Sequence, residues 1–213
     1  MMTLALLNQK GGAGKSTLAL HLACEAAVRN LKVLLLDLDP QGNLAAWGKR
    51  RGNLPPDVQA EHPANLERTL EDAKQEGYDL AVLDTAPAAD RSAMLAASVA
   101  DLVVVPCRTA TFDLEAVRTT LDVCQLKKRT AVVVLNQAPI RSKVVGEAAA
   151  DISRVGGVVS PVVIRQRVAF QHCLIDGRTA AEYEPGGAAA EEVTRLYDDM
   201  MTRARADVTG RAA

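Results

Sequence analysis

Short apolar runs alternate with segments of helical periodicity along the whole chain. The apolar runs predict six strands, at residues 3–8, 32–37, 80–84, 102–106, 131–136 and 158–163, because a short continuous apolar run fits a strand that is buried on both faces. The segments between them predict eight helices, at residues 15–29, 44–51, 66–76, 91–98, 114–125, 143–154, 167–174 and 188–206, with Asn65 as an N-cap. Strands that alternate with helices indicate an α/β fold with a doubly wound, mostly parallel sheet and helices on both faces.

The length and composition fit one domain that covers residues 1–213. A turn-rich break at residues 52–56 precedes a segment that we expect to form a short extra strand. Hydrophobic residues make up 48% of the chain but aromatic ones only 3%, so the core must be built from Ala, Val and Leu. The four cysteines are widely spaced, which favours reduced thiols in a cytoplasmic protein. No apolar stretch approaches the 18 residues that a membrane span needs.

A glycine-rich turn joins the first predicted strand to the first predicted helix. Residues 8–17 read Asn-Gln-Lys-Gly-Gly-Ala-Gly-Lys-Ser-Thr. Backbone N–H groups in such a turn, together with the positive end of the helix dipole, bind phosphate. Lys15 is then placed to reach the β- and γ-phosphates, and the Ser16 hydroxyl to bind Mg²⁺. The pattern predicts a nucleotide site formed by Gly11, Gly12, Ala13, Gly14, Lys15, Ser16 and Thr17.

Two further predicted strands end in carboxylates. Asp37 and Asp39 lie at the end of the second strand, and Asp84 ends the third. Because ligands of an open α/β sheet bind outside the carboxyl ends of its strands, these side chains should face the same crevice as the glycine-rich turn. We expect Asp84 to hold Mg²⁺ through a water molecule, opposite Ser16.

These motifs resemble those of the ParA/MinD family of P-loop ATPases, and most of all the short ParA/ParF-type partition ATPases. The turn matches the deviant Walker A motif, in which Lys10 is a second lysine and Gln9 stands where the usual pattern has glycine. Residues 37–43, Asp-Leu-Asp-Pro-Gln-Gly-Asn, resemble switch I of that family, and residues 80–88 resemble Walker B and switch II. Ala86 departs from the family pattern, which bears on the stiffness of that loop.

The resemblance implies ATP and Mg²⁺ as cofactors and assigns roles to single residues. Asp39 would position the attacking water, and Asp37 would act near Mg²⁺ and the nucleophile. Lys10 would reach the nucleotide of a facing subunit, so that two chains form a homodimer with ATP sandwiched between them and hydrolyse it only as a dimer. The catalytic residues would thus be Lys10, Lys15, Asp37 and Asp39, and the metal would be held by Ser16, Asp37 and Asp84.

The base site is less specified by the sequence. Asn136 ends a predicted strand, where its amide suits either the edge of adenine or a cap on the next turn. The family resemblance favours the purine, and it places Arg165 over the base.

Basic residues are concentrated in one part of the chain. Residues 127–178 contain nine Lys and Arg but three acidic residues, although the formal net charge of the chain is −1. A basic run is commonly a solvated surface, but in the resembled family the ATP-bound dimer binds duplex DNA without sequence preference, which requires such charge. The candidate DNA contacts are Lys127, Lys128, Arg141, Lys143 and Arg167.

The resemblance implies a cytoplasmic, nucleoid-associated ATPase that segregates plasmid or chromosomal DNA and is stimulated by a ParB-like adaptor protein. Three alternatives remain open. One is the positioning of a protein cargo on the nucleoid, such as a microcompartment or a chemoreceptor cluster. Another is a membrane-associated regulator of the MinD type, for which residues 197–207 lack the bulky apolar face that a lipid surface requires. The last is a metabolic P-loop enzyme with a small-molecule acceptor.

Overall fold

The computed structural model describes residues 1–87, 91–109, 113–141 and 143–212. Within these residues, seven strands pair in parallel in the order β3-β2-β4-β1-β5-β6-β7. Their bounds are β1 (Met2–Leu6), β2 (Val33–Asp37), β3 (Asp57–Ala60), β4 (Leu80–Asp84), β5 (Leu102–Cys107), β6 (Ala131–Leu135) and β7 (Val158–Val159). The predicted parallel α/β architecture is confirmed, and the short strand expected after residue 56 is β3, an outermost strand of the sheet.

Helices follow nearly every strand. They are α1 (Lys15–Val28), α2 (Asn43–Arg51), α3 (Leu66–Gln75), α4 (Arg91–Val99), α5 (Asp113–Leu126), α6 (Val144–Arg154), α7 (Ala169–His172), α8 (Ala180–Tyr183) and α9 (Ala188–Ala212). Two 3₁₀-helices, Pro63–Asn65 and Cys173–Asp176, precede α3 and follow α7.

The sheet separates two apolar layers, as a doubly wound fold requires. Alternate residues of β1 enter opposite layers: Leu4 and Leu6 pack with α1, α2 and α9, whereas Ala5 packs with α3 to α6. This alternation follows from the two-residue period of a strand. Ala, Val and Leu dominate both layers, and Trp47, the single tryptophan of the chain, is fully buried in the first.

Two local predictions are wrong, and a third is right only in position. The last strand ends at Val159 rather than at residue 163, because the next residues are Ser160, whose hydroxyl donates to Asp199, and Pro161, which has no N–H to donate. The helix predicted at residues 167–174 is divided into α7 and a 3₁₀-helix. Asn65 occupies the predicted N-cap position of α3, but it makes no capping hydrogen bond, and its side-chain amide donates to Glu61 instead.

Parallel pairing gives the sheet two distinct edges. The carboxyl ends of β1, β2, β4 and β6 all lie along one edge, which we call the carboxyl edge, and the amino ends of the strands define the amino edge opposite. Asp37 and Asp84 are paired residues on the neighbouring strands β2 and β4, so the register alone brings these two carboxylates together at the carboxyl edge.

Candidate nucleotide-binding site

The loop between β1 and α1 is anchored to the sheet by Asn8. The Asn8 side-chain amide donates to the carbonyl of Pro106 over 2.6 Å, and its carbonyl accepts the backbone N–H of Lys10 at 2.8 Å. Gly12 and Gly14 adopt φ values of +74° and +95°, which glycine tolerates without strain. Gly14 is the N-cap residue of α1 and offers no side chain to cap it. The backbone N–H groups of the first turn are therefore left for an anionic ligand.

Asn136, the residue after β6, also holds this loop. Its amide donates to the carbonyl of Ala13 at 2.8 Å, and the amide of Gln137 donates to the carbonyl of Gly12 at 3.2 Å. A Cβ on Gly14 would lie 2.1 Å from the Asn136 amide nitrogen, so the close approach depends on glycine. The side chain predicted to read adenine thus fastens the phosphate loop in this structure, and its contact with a base stays a prediction.

A cavity of about 300 Å³, which we call the phosphate cavity, opens at the carboxyl edge over the loop between β1 and α1, the phosphate loop. Its wall brings together most of the residues predicted for phosphate binding with residues from both switch segments. The described lining residues are Gly11, Gly12, Gly14, Lys15, Ser16, Thr17, Asp39, Gln41, Asn43, Pro87 and Gln137. Ala13 lies buried behind this wall, and Ala88, at the end of the predicted switch II segment, is outside the described residues.

The charges of Lys15 and Asp84 influence each other in the floor of the site. Burial lowers the pKa of Lys15, while the nearby Asp84 and Asp39 carboxylates raise it. Burial raises the pKa of Asp84 to about 7, helped by Asp37 and opposed by Ser16 and Lys15. Although the Ser16 hydroxyl lies near enough to act on that pKa, neither buried carboxylate oxygen of Asp84 has a hydrogen bond of ordinary geometry within the described part of the chain.

The unpaired carboxylate of Asp84 fits a Mg²⁺ ion. A buried carboxylate without a donor is strongly disfavoured, and a divalent cation would remove that penalty. No cluster of three His, Cys, Asp or Glu side chains that could hold a metal is found among the described residues. Mg²⁺ commonly binds through one or two carboxylates, water and substrate phosphates, so Asp84 and the Ser16 hydroxyl form a donor set that suits the ion.

The two switch I carboxylates differ in what they contact. Both oxygens of Asp37 accept backbone N–H groups, from Asp39 at 3.1 Å and from Ala45 at 2.8 Å. Asp37 therefore shapes switch I and caps α2, and its role near the metal stays a prediction. Asp39 is half-buried, accepts the Gln41 N–H at 3.0 Å and lines the phosphate cavity, where a water-positioning carboxylate is expected.

A second cavity, of about 170 Å³, lies on the other side of Asn136. Thr17, Gln137 and the chain after β7 line it, and the predicted base residues Asn136 and Arg165 do meet here. The Arg165 guanidinium donates to the carbonyl of Pro139 at 2.7 Å, which holds it against the pocket. We call this cavity the base pocket.

Lys10 stands apart from both cavities. It is half-buried on the loop, and the described walls of the two cavities do not include it. A lysine outside the wall of its own phosphate cavity is compatible with contact to a facing subunit, but that contact stays a prediction.

The predicted DNA contacts do not form one patch. Lys127 and Lys128 precede β6 and lie at the amino edge, whereas the exposed Arg141 and Lys143 follow β6 at the carboxyl edge. Arg167 lines the base pocket and donates to the buried carboxylate of Glu192 at 2.6 Å, which neutralises its charge. Lys127 and Lys128 are close in sequence to Arg141 and Lys143, but β6 separates the first pair from the second in space.

Several residues of the site were not predicted from the sequence. Asn8 and Gln137 anchor the phosphate loop, and nothing in their sequence context predicts the tertiary carbonyls that they contact. Gln41 and Asn43 line the cavity, and their place in the switch I motif was a signal for this.

The last helix is part of the core. Leu196, Met200 and Ala204 are fully buried, and α9 packs on α1. Among the described residues no helix combines the length and hydrophobicity that crossing a bilayer demands.

Comparison with known proteins agrees with this geometry. The family profile described as the CobQ/CobB/MinD/ParA nucleotide binding domain matches residues 4–179. The maintenance of carboxysome distribution protein A of Halothiobacillus neapolitanus is 26% identical over 210 residues, which cover 93% of this chain and 96% of that protein. The chromosome-partitioning ATPase Soj of Thermus thermophilus is 28% identical over 240 residues, covering 94% and 95%. The crystal structure of the cell division ATPase MinD of Pyrococcus furiosus has the same fold, with a TM-score of 0.78 at 20% identity over 94% of this chain and 98% of that one. The chain therefore belongs to the CobQ/CobB/MinD/ParA family of nucleotide-binding proteins, in the ParA/MinD group of P-loop ATPases.

Proposed function

We propose that this protein is a dimerising, Mg²⁺-dependent ATPase that segregates or positions DNA. In this proposal ATP assembles the dimer, the dimer binds duplex DNA without sequence preference, and a ParB-like adaptor stimulates the hydrolysis that releases it. One observation carries the proposal: a single cavity joins the phosphate loop to Asp39 of switch I, above the unpaired carboxylate of Asp84.

The roles of the side chains follow from their positions. Lys15 and the N–H groups of α1 bind the phosphates, and Asp84 with Ser16 would hold Mg²⁺, which neutralises phosphate charge when bound. Asp39 lies in the cavity wall, where it orients the attacking water. A cation supplied by Lys10 of the facing chain stabilises the charge that develops on the transferring phosphoryl group.

A second candidate cargo is a protein body carried on the nucleoid. The likeness to a carboxysome distribution protein over 93% of this chain favours it, and the likeness to a chromosome-partitioning ATPase over 94% favours DNA. Both cargoes use the same ATP-driven switch. A regulator of the MinD type on a membrane is disfavoured, because the buried face of α9 is already occupied by α1.

Asp39→Ala should trap the dimer. Without the carboxylate that orients water, we expect ATP to bind and the dimer to form while hydrolysis falls by at least about a hundredfold. Size-exclusion chromatography with light scattering in Mg²⁺ and ATP should then show a stable dimer, with the wild-type protein as the reference. A variant that stays monomeric in saturating ATP and Mg²⁺ would contradict the ATP-dependent assembly.

Lys10→Ala should separate binding from hydrolysis. Because Lys15 remains in its own subunit, we expect ATP binding within about tenfold of the wild-type affinity and hydrolysis reduced by about a thousandfold, the effect of removing a cation supplied in trans. Lys74→Ala is the matched control, since Lys74 is an exposed lysine of α3 remote from the cavity. Normal turnover in the Lys10 variant would eliminate the trans role.

A further inference from the structure

One segment contacts both the base pocket and the helix that follows switch I. Residues 164–183, which we call the base-covering segment, line the base pocket with Ile164, Phe170 and Leu174 among others. The same segment then turns back over the end of α2. Since α2 begins four residues after Asp39, the segment links the base pocket to switch I through one helix.

The link to α2 is centred on Arg51. Its side chain is only 5% exposed, and its guanidinium donates to both carboxylate oxygens of Glu182, at 2.7 and 2.8 Å. It also donates to the carbonyl of Gly177 at 3.0 Å and to that of Pro55 at 2.8 Å. A two-pronged bond to a carboxylate fixes orientation as well as distance, so the end of α2 cannot turn independently of residues 177–182.

Two neighbouring contacts tighten the same junction. The indole N–H of the buried Trp47 donates to the carbonyl of Arg178 at 3.3 Å. Gly177 has φ +79°, and a Cβ there would lie 2.5 Å from the backbone nitrogen of Arg51, so the two backbones are in direct contact. Packing this close transmits displacement rather than absorbing it.

The segment is also tied to the phosphate-binding helix. Nδ1 of the buried His21 donates to the carbonyl of Thr17 at 2.7 Å, which leaves Nε2 to accept the N–H of Ala180 at 3.0 Å. Burial lowers the pKa of His21 to about 4, so this imidazole is neutral at physiological pH and keeps both bonds. Phe170, which lines the base pocket, packs edge-on against the same ring at 5.1 Å.

At its other end α2 holds switch I. The Ala45 N–H donates to Asp37, whose second oxygen accepts the Asp39 N–H. A helix of nine residues spans about 13 Å. It is stiff over that length, so a shift at Arg51 reaches Asp39 through the backbone.

We propose that Arg51 and Glu182, with Trp47, are positioning residues that set Asp39 for hydrolysis according to whether the base pocket is filled. A nucleotide base in the pocket displaces the base-covering segment, and α2 carries that displacement to switch I. A triphosphate without a base fills the phosphate cavity but leaves switch I in its resting place. The hydrolytic part of this inference rests on the proposed ATPase function, whereas the structural coupling does not.

The single tryptophan makes the coupling directly measurable. Trp47 lies at the junction itself, so its fluorescence reports the contact between α2 and residues 177–182. Mg-ADP should change the emission, and Mg-tripolyphosphate, at concentrations where calorimetry shows that it is bound, should change it by less than about a quarter as much. Arg51→Met should abolish the ADP response. An equal response to tripolyphosphate, or none to bound ADP, would overturn the coupling even if the protein does not hydrolyse ATP.

The kinetic test separates positioning from binding. We expect Arg51→Met to lower kcat for ATP about tenfold while KM and the ADP affinity stay within about twofold, because Asp39 is misplaced but the cavities remain. Glu182→Gln should have a smaller effect in the same direction. Arg203→Met is the matched control, since it removes an arginine paired with Asp199 on α9, far from the junction, and should leave kcat unchanged.

Two further variants keep the kinetic test decisive. If Arg51→Met does not fold, Arg51→Lys retains the charge but not the two-pronged bond, and kcat should still fall. The double exchange Arg51→Glu with Glu182→Arg should recover part of the kcat that the Arg51→Met variant loses. A folded Arg51→Met protein with wild-type kcat would overturn the positioning role, and absence of turnover in the wild-type protein would overturn the proposed function while leaving the fluorescence result to stand.

Discussion

At the scale of single residues, the buried carboxylate of Asp84, a candidate Mg²⁺ ligand, lowers the stability of the fold at neutral pH. Burial without a hydrogen-bond donor raises its pKa from 3.8 to about 7. The folded chain therefore keeps a proton that the unfolded chain releases at lower pH. The stability associated with this group is fully present below pH 3.8 and is lost as the pH rises through about 7. Bound Mg²⁺ would restore it.

Asp84→Asn should stabilise the protein without nucleotide and Mg²⁺. We expect the free energy of unfolding to exceed that of the wild type by about 4 kcal/mol at pH 8 and by about 2 kcal/mol at pH 5.5. Because a buried amide has a desolvation penalty of its own, the difference between the two pH values is the firmer quantity. Urea titrations at both values measure it, with Asp122→Asn as an exposed control. A gain that does not depend on pH would contradict the assignment.

The roles of some site residues could be predicted from local sequence, and those of others could not. Lys15 and Ser16 follow from the residue types and spacing that phosphate and metal binding demand, and Asp84 from its place at the end of a buried strand, whereas the role of Asp39 rests on the family resemblance. Asn136 lines the base pocket, and its contact with a base stays a prediction, but its bond to the phosphate loop was not predicted, since the partner of an amide is decided by which backbone approaches it in three dimensions. Such approaches leave no trace in local sequence.

At the scale of elements, the buried strands were the most predictable part of the chain. β2, β4, β5 and β6 are continuous apolar runs, and each was predicted to within about one residue. The region after β7 was not, because a proline, a polar side chain bonded to α9 and a short 3₁₀-helix determine its course. Tertiary contacts override periodicity where no run is long enough to dominate.

The buried face of α9 should dominate its contribution to stability. Leu196 is completely buried against the α1 side of the sheet, so Leu196→Ala should lower the free energy of unfolding by about 3 kcal/mol. Val208→Ala, at a position 41% exposed on the same helix, should change it by less than about 0.5 kcal/mol. Denaturant unfolding of the two variants provides the comparison. Equal effects would mean that α9 is not packed as described.

At the scale of the whole molecule, the candidate sites lie together at one edge of the parallel sheet. The phosphate cavity, both switch segments and the base pocket lie at the carboxyl edge. The sequence predicted this, because strands that alternate with helices pair in parallel, and the carboxyl ends of parallel strands lie at the same edge. It did not predict which basic residues share an edge, since neighbours in sequence on either side of β6 end up on opposite sides of the molecule.

This division predicts which charges bind DNA in an ATP-dependent way. Arg141 and Lys143 lie at the same edge as the candidate nucleotide site, so, under the proposed function, replacing both by Glu should weaken retention of the ATP-bound protein on duplex DNA by at least about tenfold. It should also reduce the steepness of the salt dependence, measured as the slope of log affinity against log salt concentration, by about two. Replacing Lys127 and Lys128 by Glu is the matched control at the amino edge and should have a smaller effect. The opposite ranking would place the DNA surface at the amino edge.

The anchor that Asn8 provides bears on how quickly two chains would join in the proposed dimer. Asn8 fixes the backbone at Lys10 to β5 before any partner arrives. Ordering a free backbone residue would cost about 1–2 kcal/mol of entropy at the moment of encounter. Here the backbone at Lys10 is already ordered in the folded chain, so this entropic cost is met during folding. Association of two such chains should then depend on the supply of nucleotide rather than on a slow search by the loop.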